Sequence, residues 1–394
     1  MSANPRSSER LAGVASVFDA TRLTLARQLA GLKKNQLADL VDMTPASVSA
    51  WENGTKKPSA AAVGKLAMAL QVQPAFFTPP DETTLMPSPP HFRSLRSTSQ
   101  LAQDQASAYG RLVAEVARLL ERSVEFPPID IPSFPVSATE ESLDGPERAA
   151  AITRKHFGLP VGPVAHLVRL VENAGVIVVF SPPRTASIDA YSLESAGRRV
   201  IVLNPTKDDY YRQRFDVAHE LGHLVMHTDS EPGGRIAEDQ AQRFAAEFLM
   251  PTEQIRSLLP TSTTRKGWET LFQLKEHWGV SLQAILYRAR ALGVMGEVSH
   301  RNAMIRISSL GWRRAEPGKV TALEMPSLLP RALEVLESAG FPAATIMRGP
   351  GIPVALLNTI AARNPKQIME VHAQLDNGSG VVTSLMTPPP QERH

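Results

Sequence analysis

Cysteine is absent from all 394 residues. Its absence excludes disulfides and any thiolate metal site, and fits a reducing cytoplasm. Long apolar runs are missing too. The longest, Ala174-Gly-Val-Ile-Val-Val-Phe180, is far short of the roughly 20 residues a membrane helix needs, so no membrane contact is expected. The opening MSANPRSSER lacks an apolar core, so secretion by a signal peptide is not expected. Net charge is only +3, which names no partner by itself. What is present is ordinary for a soluble protein, with 43% hydrophobic and 21% charged residues. At roughly 150 residues per domain, the length suggests two or three domains.

The small net charge is unevenly placed. Residues 1–80 hold nine Lys or Arg against five acids, so the basic excess sits in the first fifth of the chain. Short helical patterns fill 18–78 and stop at Pro79-Pro80. Residues 81–137 read as a Pro-rich linker with one helix near 100–123. Helices and two apolar strands, 175–180 and 200–203, follow in a unit placed at 138–298. The remainder, 299–394, is mostly helical by pattern, with stretches near 327–339 and 364–374. The overall class is α+β, with an all-α N-terminal unit.

Within the basic block, Leu37-Ala-Asp-Leu predicts one helix, and Asp42-Met43 a turn. Thr44 is a good N-cap, and Pro45 takes the favoured first helical position. Val48 and Trp51 would pack inward, leaving Ala46, Ser47, Ser49 and Ala50 outward, a face without bulky charge that suits a major groove. Asn53-Gly54 stops the helix, and Lys56-Lys57 follow where phosphates would run. Gln36-Leu37-Ala38, Ser47-Val-Ser49, Trp51-Glu52-Asn-Gly54 and Pro58 together resemble the XRE (Cro/C1-type) helix-turn-helix family over about residues 18–78. The resemblance implies binding to a double-stranded DNA operator, with Gln36 and Lys56 on phosphates and Ala46, Ser47, Ser49 and Ala50 near bases. Such readers usually bind two half-sites, which admits a homodimer.

A second motif is Phe215-Asp-Val-Ala-His219-Glu220-Leu-Gly-His223-Leu-Val-Met-His227. On a helix, Val217, Ala218, Leu221, Leu224 and Val225 form one stripe, with His219 and His223 on the other side. Residues four apart point the same way and can grip one cation. Glu220 lies beside them, placed to take a proton from water held there. His227, about 12 Å along the axis from His219, is too far to share that cation and would pack nearby or border a cleft. Downstream, Ala241, Phe244, Ala245, Phe248 and Leu249 form another stripe, and Glu238 falls on it. A carboxylate on a core-facing row is costly unless a cation satisfies it, so Glu238 is the candidate third ligand. Asp239 and Glu247 point away and read as solvated.

His219-Glu220-x-x-His223, Glu238-x-x-Ala241-x-x-Phe244-Ala245 and Leu249-Met250-Pro251, with Arg214-Phe215 and Val202-Leu203-Asn204, resemble the ImmA/IrrE metallopeptidases over about 147–295. The resemblance implies a thermolysin-like (zincin) core that is zinc-dependent, with His219, His223 and Glu238 as ligands and Glu220 as general base. Manganese would also tolerate this donor set. Tyr191, Tyr210, Tyr211 and His227 are candidate transition-state stabilisers. Several relatives cleave helix-turn-helix repressors, so the protein substrate implied is a repressor, an antitoxin-like partner or the chain's own linker near 79–137. Both motifs on one chain resemble the fused XRE–ImmA/IrrE regulators, a cytoplasmic class. Two functions follow: a DNA-binding endopeptidase, or an XRE-type regulator whose metallo-domain senses a partner without significant proteolysis. They differ in whether Glu220 matters.

Overall fold

The computed structural model describes residues 5–79, 91–92, 99–182, 189–227, 234–319 and 321–368. The predicted helical stretch near 364–374 lies mostly outside them. Five helices come first: α1 (Pro5–Ser16), α2 (Ala20–Leu29), α3 (Lys34–Leu40), α4 (Pro45–Glu52) and α5 (Ala60–Ala69). Asp42 takes the left-handed conformation at φ 54° and turns the chain between α3 and α4. The Thr44 hydroxyl accepts from the Ser47 N–H and starts α4 behind Pro45. Val48 and Trp51 are buried, as their spacing requires.

Four strands form the single sheet among the described residues: β1 (His91–Phe92), β2 (Val176–Phe180), β3 (Ala190–Ser195) and β4 (Arg198–Leu203), in the order β1-β3-β4-β2. β3 and β4 are an antiparallel pair, β2 runs parallel to β4, and β1 pairs antiparallel with the outer edge of β3. β2 is apolar throughout and buried on both faces.

One face of the sheet is covered by α6 (Gln100–Glu121), whose core residues include Tyr109, Leu112, Val113 and Val116. This helix also packs against α2. Arg22 donates to Glu115 at 2.6 Å, and Gln105 to the Leu29 carbonyl at 3.0 Å. The core of the N-terminal helices, α6 and this sheet face are therefore one continuous apolar cluster. The stretch read as linker supplies its central helix.

The opposite face carries α7 (Gly145–His156), α8 (Leu167–Asn173), α9 (Tyr210–Met226) and α10 (Arg235–Leu249). Beyond them come α11 (Thr252–Ile255), α12 (Arg265–Trp278), α13 (Leu282–Ala291) and α14 (Glu297–Ser309). The chain then returns as an extended segment to α15 (Leu328–Ser338), α16 (Ala343–Ile346) and α17 (Val354–Ile360), which rejoin the first cluster. Buried carboxylates pin that segment. Glu316 caps α13 and meets Lys275 at 3.1 Å; Glu324 pairs with Arg214 and accepts from the Val168 N–H; Glu172 accepts from the Ser327 and Leu328 N–H groups. Gly351, at φ +70°, lies where a Cβ would fall 2.3 Å from the Phe76 nitrogen. The C-terminal region thus touches both the N-terminal helices and the metal-motif helix. None of the described helices is long and apolar enough to cross a membrane.

Candidate metal centre and DNA-reading face

Helix α9 starts at Asp209, whose side chain accepts from the Arg212 N–H, and runs almost wholly buried from Tyr211 to Met226. Two histidines could hardly be placed there as a solvated pair. His219 is 1% exposed, Glu220 0% and His223 0%. Their helix lies against α10, and Gly222 is the reason the two come close. A Cβ on Gly222 would sit 2.8 Å from the Phe244 ring. That contact brings Glu238, in the first turn of α10, over the two imidazoles.

The three ligand atoms converge. His219 Nε2 and His223 Nε2 are 3.2 Å apart, and Glu238 places Oε2 3.3 Å from the first and Oε1 3.4 Å from the second. All lie within 4.8 Å of one another. Ligands at the usual 2.0–2.2 Å from a tetrahedral zinc are about 3.3–3.6 Å apart, a spacing the two imidazole nitrogens already approach and the Glu238 carboxylate straddles. Burial pushes the Glu238 carboxyl up, but the facing His219 and His223 rings outweigh it and hold it at about 2. It is an anion at neutral pH, as a ligand must be.

The next layer fixes a tautomer. The Gln240 amide nitrogen donates to the Ser137 and Glu140 carbonyls, at 2.9 and 3.1 Å. Both neighbours accept only, so the amide oxygen must face His227, 2.7 Å from its Nε2. His227 therefore donates from Nε2. Burial, with His223 nearby, lowers its pKa to about 4, so it is neutral and its Nδ1 carries a lone pair. That nitrogen lies 3.1 Å from His223 Nδ1, which accordingly donates. His223 is left with its lone pair on Nε2, the atom aimed at Glu238 and His219.

Glu220 points to the sheet. The Ser192 hydroxyl on β3 donates to Glu220 Oε2 at 2.8 Å and orients the carboxylate. Neither Ser192 nor Gln240 was found from sequence. A lone strand serine has no diagnostic spacing, and the partners of Gln240 are carbonyls 100 or more residues away.

The four stabiliser candidates have contacts of their own. Tyr191 alternates with Ser192 on β3, so it faces α6, and its hydroxyl donates to the Ala106 carbonyl. Tyr211 donates to the Lys319 carbonyl. His227 is fully buried behind His223. Tyr210 stands against Arg214, nine residues before His219 and so about 13 Å up the helix. Glu247, expected in solvent, is 8% exposed, pairs with Arg288 and accepts from Thr252.

On the N-terminal unit, Ala46 is exposed and Ser47, Ser49 and Ala50 are half-buried along α4. Gln36 and Lys56 are exposed beside them. The Gln36 oxygen accepts from the Lys33 N–H and so caps α3. Lys57 is also exposed, but its ammonium donates to the Ser16 carbonyl at the end of α1.

Comparison with family models places a helix-turn-helix match at residues 23–77 and a match to the IrrE N-terminal-like domain, a peptidase family, at residues 171–290. The second span contains His219, Glu220, His223 and Glu238. A comparison with curated proteins gave no match. The chain therefore joins an XRE-type helix-turn-helix domain to an IrrE N-terminal-like domain, the build of a DNA-binding regulator with a metallopeptidase-family domain.

Proposed function

We propose that this chain is a DNA-binding, metal-dependent endopeptidase that regulates transcription by cleaving a helix-turn-helix repressor or a related antitoxin-like protein. The observation that carries the reading is the convergence of His219 Nε2, His223 Nε2 and the Glu238 carboxylate at separations of 3.2–3.4 Å, one residue from a buried acid held by Ser192. His219, His223 and Glu238 would hold the ion, and zinc suits two imidazoles and one carboxylate on a zincin-like scaffold. When bound, such an ion polarises the scissile carbonyl and makes water a nucleophile at neutral pH. Glu220 takes the proton of the attacking water at its carboxylate and passes it to the leaving amine, with Ser192 keeping that carboxylate in place. The α4 face, with Gln36 and Lys56 on the flanking backbone, brings the whole chain to an operator.

A regulator that binds a partner without cutting it is favoured by one observation, the near-complete burial of the two histidines and Glu220. One experiment separates the readings. Purified full-length protein is assayed for metal by elemental mass spectrometry beside His219→Ala, and for cleavage of candidate repressors beside Glu220→Gln. The peptidase reading expects about one zinc per chain, lost in His219→Ala, and cleavage lost in Glu220→Gln with the metal retained. No metal after reconstitution sinks it. Retained metal and unchanged regulation in Glu220→Gln transfer the case to the non-cleaving regulator.

A further inference from the structure

The C-terminal region closes a cleft that neither motif uses. Its volume is about 290 Å³, and four stretches of chain meet around it: Pro127 beyond α6, Glu172 and Asn173 at the end of α8, the start of α15, and Arg363 beyond α17. A water molecule takes up roughly 30 Å³, so the space suits a solute on the order of ten non-hydrogen atoms. Pro127 and Leu328 give it an apolar wall, and Asn173 an amide.

Its charged groups divide into two sets. Glu172 is buried and turned inward, accepting from the Ser327 hydroxyl at 2.6 Å and from the Ser327 and Leu328 N–H groups, so its carboxylate is spent on the protein. Glu334 instead gathers two arginines. Arg331, one turn earlier on α15, donates to one of its oxygens at 3.2 Å, and Arg363 donates to the other. Two guanidiniums thus share one acid, which leaves that lip of the cleft with a net positive charge. Among the described residues neither guanidinium makes another hydrogen bond, so most of their N–H donors are unspent. Solvent reaches both, their side chains being 73% and 35% exposed.

We propose that this cleft binds a small phosphorylated molecule, a phosphate monoester with a short uncharged body, and that Arg331 and Arg363 hold its phosphate. An arginine fork meets two oxygens at once, so one fork fills a carboxylate, whereas the three free oxygens of a phosphate can be divided between two. A phosphate monoester also carries about −1.5 to −2 at neutral pH, the larger charge for a positive lip to attract. Glu334 holds both guanidiniums near their places beforehand, which lowers the cost of ordering two long side chains. The cleft is placed to be felt elsewhere. Ser327, on its floor, is three residues from Glu324, which pairs with Arg214 on the metal-motif helix. A molecule bridging Arg331 and Arg363 ties α15 to the chain beyond α17 and so steadies the region from which that segment hangs. Binding needs neither metal nor Glu220, so it stands apart from the peptidase reading.

The test titrates glycerol 3-phosphate calorimetrically into the full-length chain, beside succinate and glycerol. One site per chain is expected for glycerol 3-phosphate, at least about tenfold tighter than for succinate, with no binding of glycerol. Arg331→Gln and Arg363→Gln should each weaken it by about tenfold or more, the scale of a hydrogen bond between charged partners. Arg265→Gln, which alters a side chain on α12 that is 95% exposed, should leave it unchanged. An equal loss in Arg265→Gln would reveal general attraction to positive charge and overturn the inference. So would affinity weaker than about 10 mM, or equal affinity for succinate. Unchanged affinity in both cleft variants would overturn it as well, and send the phosphate to the DNA-reading face. Arg331 is exposed enough to be replaced without loss of the fold, so its variant decides even where Arg363→Gln unfolds.

Discussion

Gln240 governs His223 without touching it. Its amide oxygen accepts a hydrogen bond from His227 Nε2–H, and His227 Nδ1 in turn accepts one from His223 Nδ1–H. A hydrogen-bond chain of two side chains thus decides which nitrogen of a ligand histidine carries a lone pair. Outer partners of this kind are worth about 10–100-fold in metal affinity. Gln240→Leu should lower zinc affinity by about that factor in chelator competition, with helix content by circular dichroism unchanged. Unaltered affinity would show that the chain of protons is ornamental.

Gly222 sets the distance between the two helices that carry the candidate metal ligands. Gly222→Ala places a methyl 2.8 Å from the Phe244 ring, inside a fully packed contact. Overpacking of this sort costs about 1–3 kcal/mol. Thermal denaturation should show that loss, and the metal content of the purified variant should fall with it, because separating α9 from α10 withdraws Glu238 from the histidines.

Arg214 and Glu324 form an ion pair with side chains 1% and 4% exposed. Glu324→Ala leaves a buried guanidinium without its carboxylate, a change worth about 3–5 kcal/mol. The expected result is a large drop in the denaturant midpoint with an unchanged slope. The same logic predicts that a chain ending before residue 324 will not fold stably, although the family match closes at residue 290.

Glu172 offers a pH-dependent counterpart. Burial raises its pKa, while hydrogen bonds from Ser327 and Leu328 oppose the shift only in part. A carboxyl raised above its unfolded value adds stability that is complete below the unfolded range and is lost as pH rises through the folded value. Glu172→Gln keeps an acceptor for both N–H groups and removes the charge. Its melting temperature relative to the parent should therefore improve as the pH is raised from acid to neutral. A constant offset would remove Glu172 from the account.

On the DNA-reading face, Lys56 and Lys57 are expected to behave differently. Lys56→Ala should weaken binding to all sequences alike and reduce the salt slope by about one. Lys57→Ala releases the Ser16 carbonyl and should loosen α1 as well. Substituting Ser47 or Ser49 should alter sequence preference with little change in salt slope. Binding isotherms over a range of salt concentrations distinguish the three outcomes.

The trio His219, His223 and Glu238 was legible because helical spacing is local, and because a carboxylate on an apolar row is an anomaly that demands a partner. The turn at Asp42 and the caps of α4 were legible for the same reason, each being set by a few adjacent residues. β3 was not read, since Ala190–Ser195 mixes two serines and a glutamate with apolar residues and is buried only through neighbours on both faces. The roles of Ser192 and Gln240 depend on contacts 28 and 100 or more residues away. Glu247 was misread because Arg288, 41 residues later on α13 and beyond the reach of any local rule, removes it from solvent. The place of α6 was likewise hidden, as its pattern announces a helix but not the two surfaces it joins.

Helix α6 has a mechanical consequence. Because the DNA-reading helices and the sheet close over the same apolar cluster, with Arg22 clasped to Glu115, the described contacts tie the head to the body. An operator that captures the head would also set the compass bearing of the candidate metal centre around the duplex. A neighbour on the same DNA then meets that centre only on the correct side of the double helix. Shifting its site by about five base pairs, half a helical turn, would carry it to the far side. Spacing along the DNA would thus become a form of substrate selection.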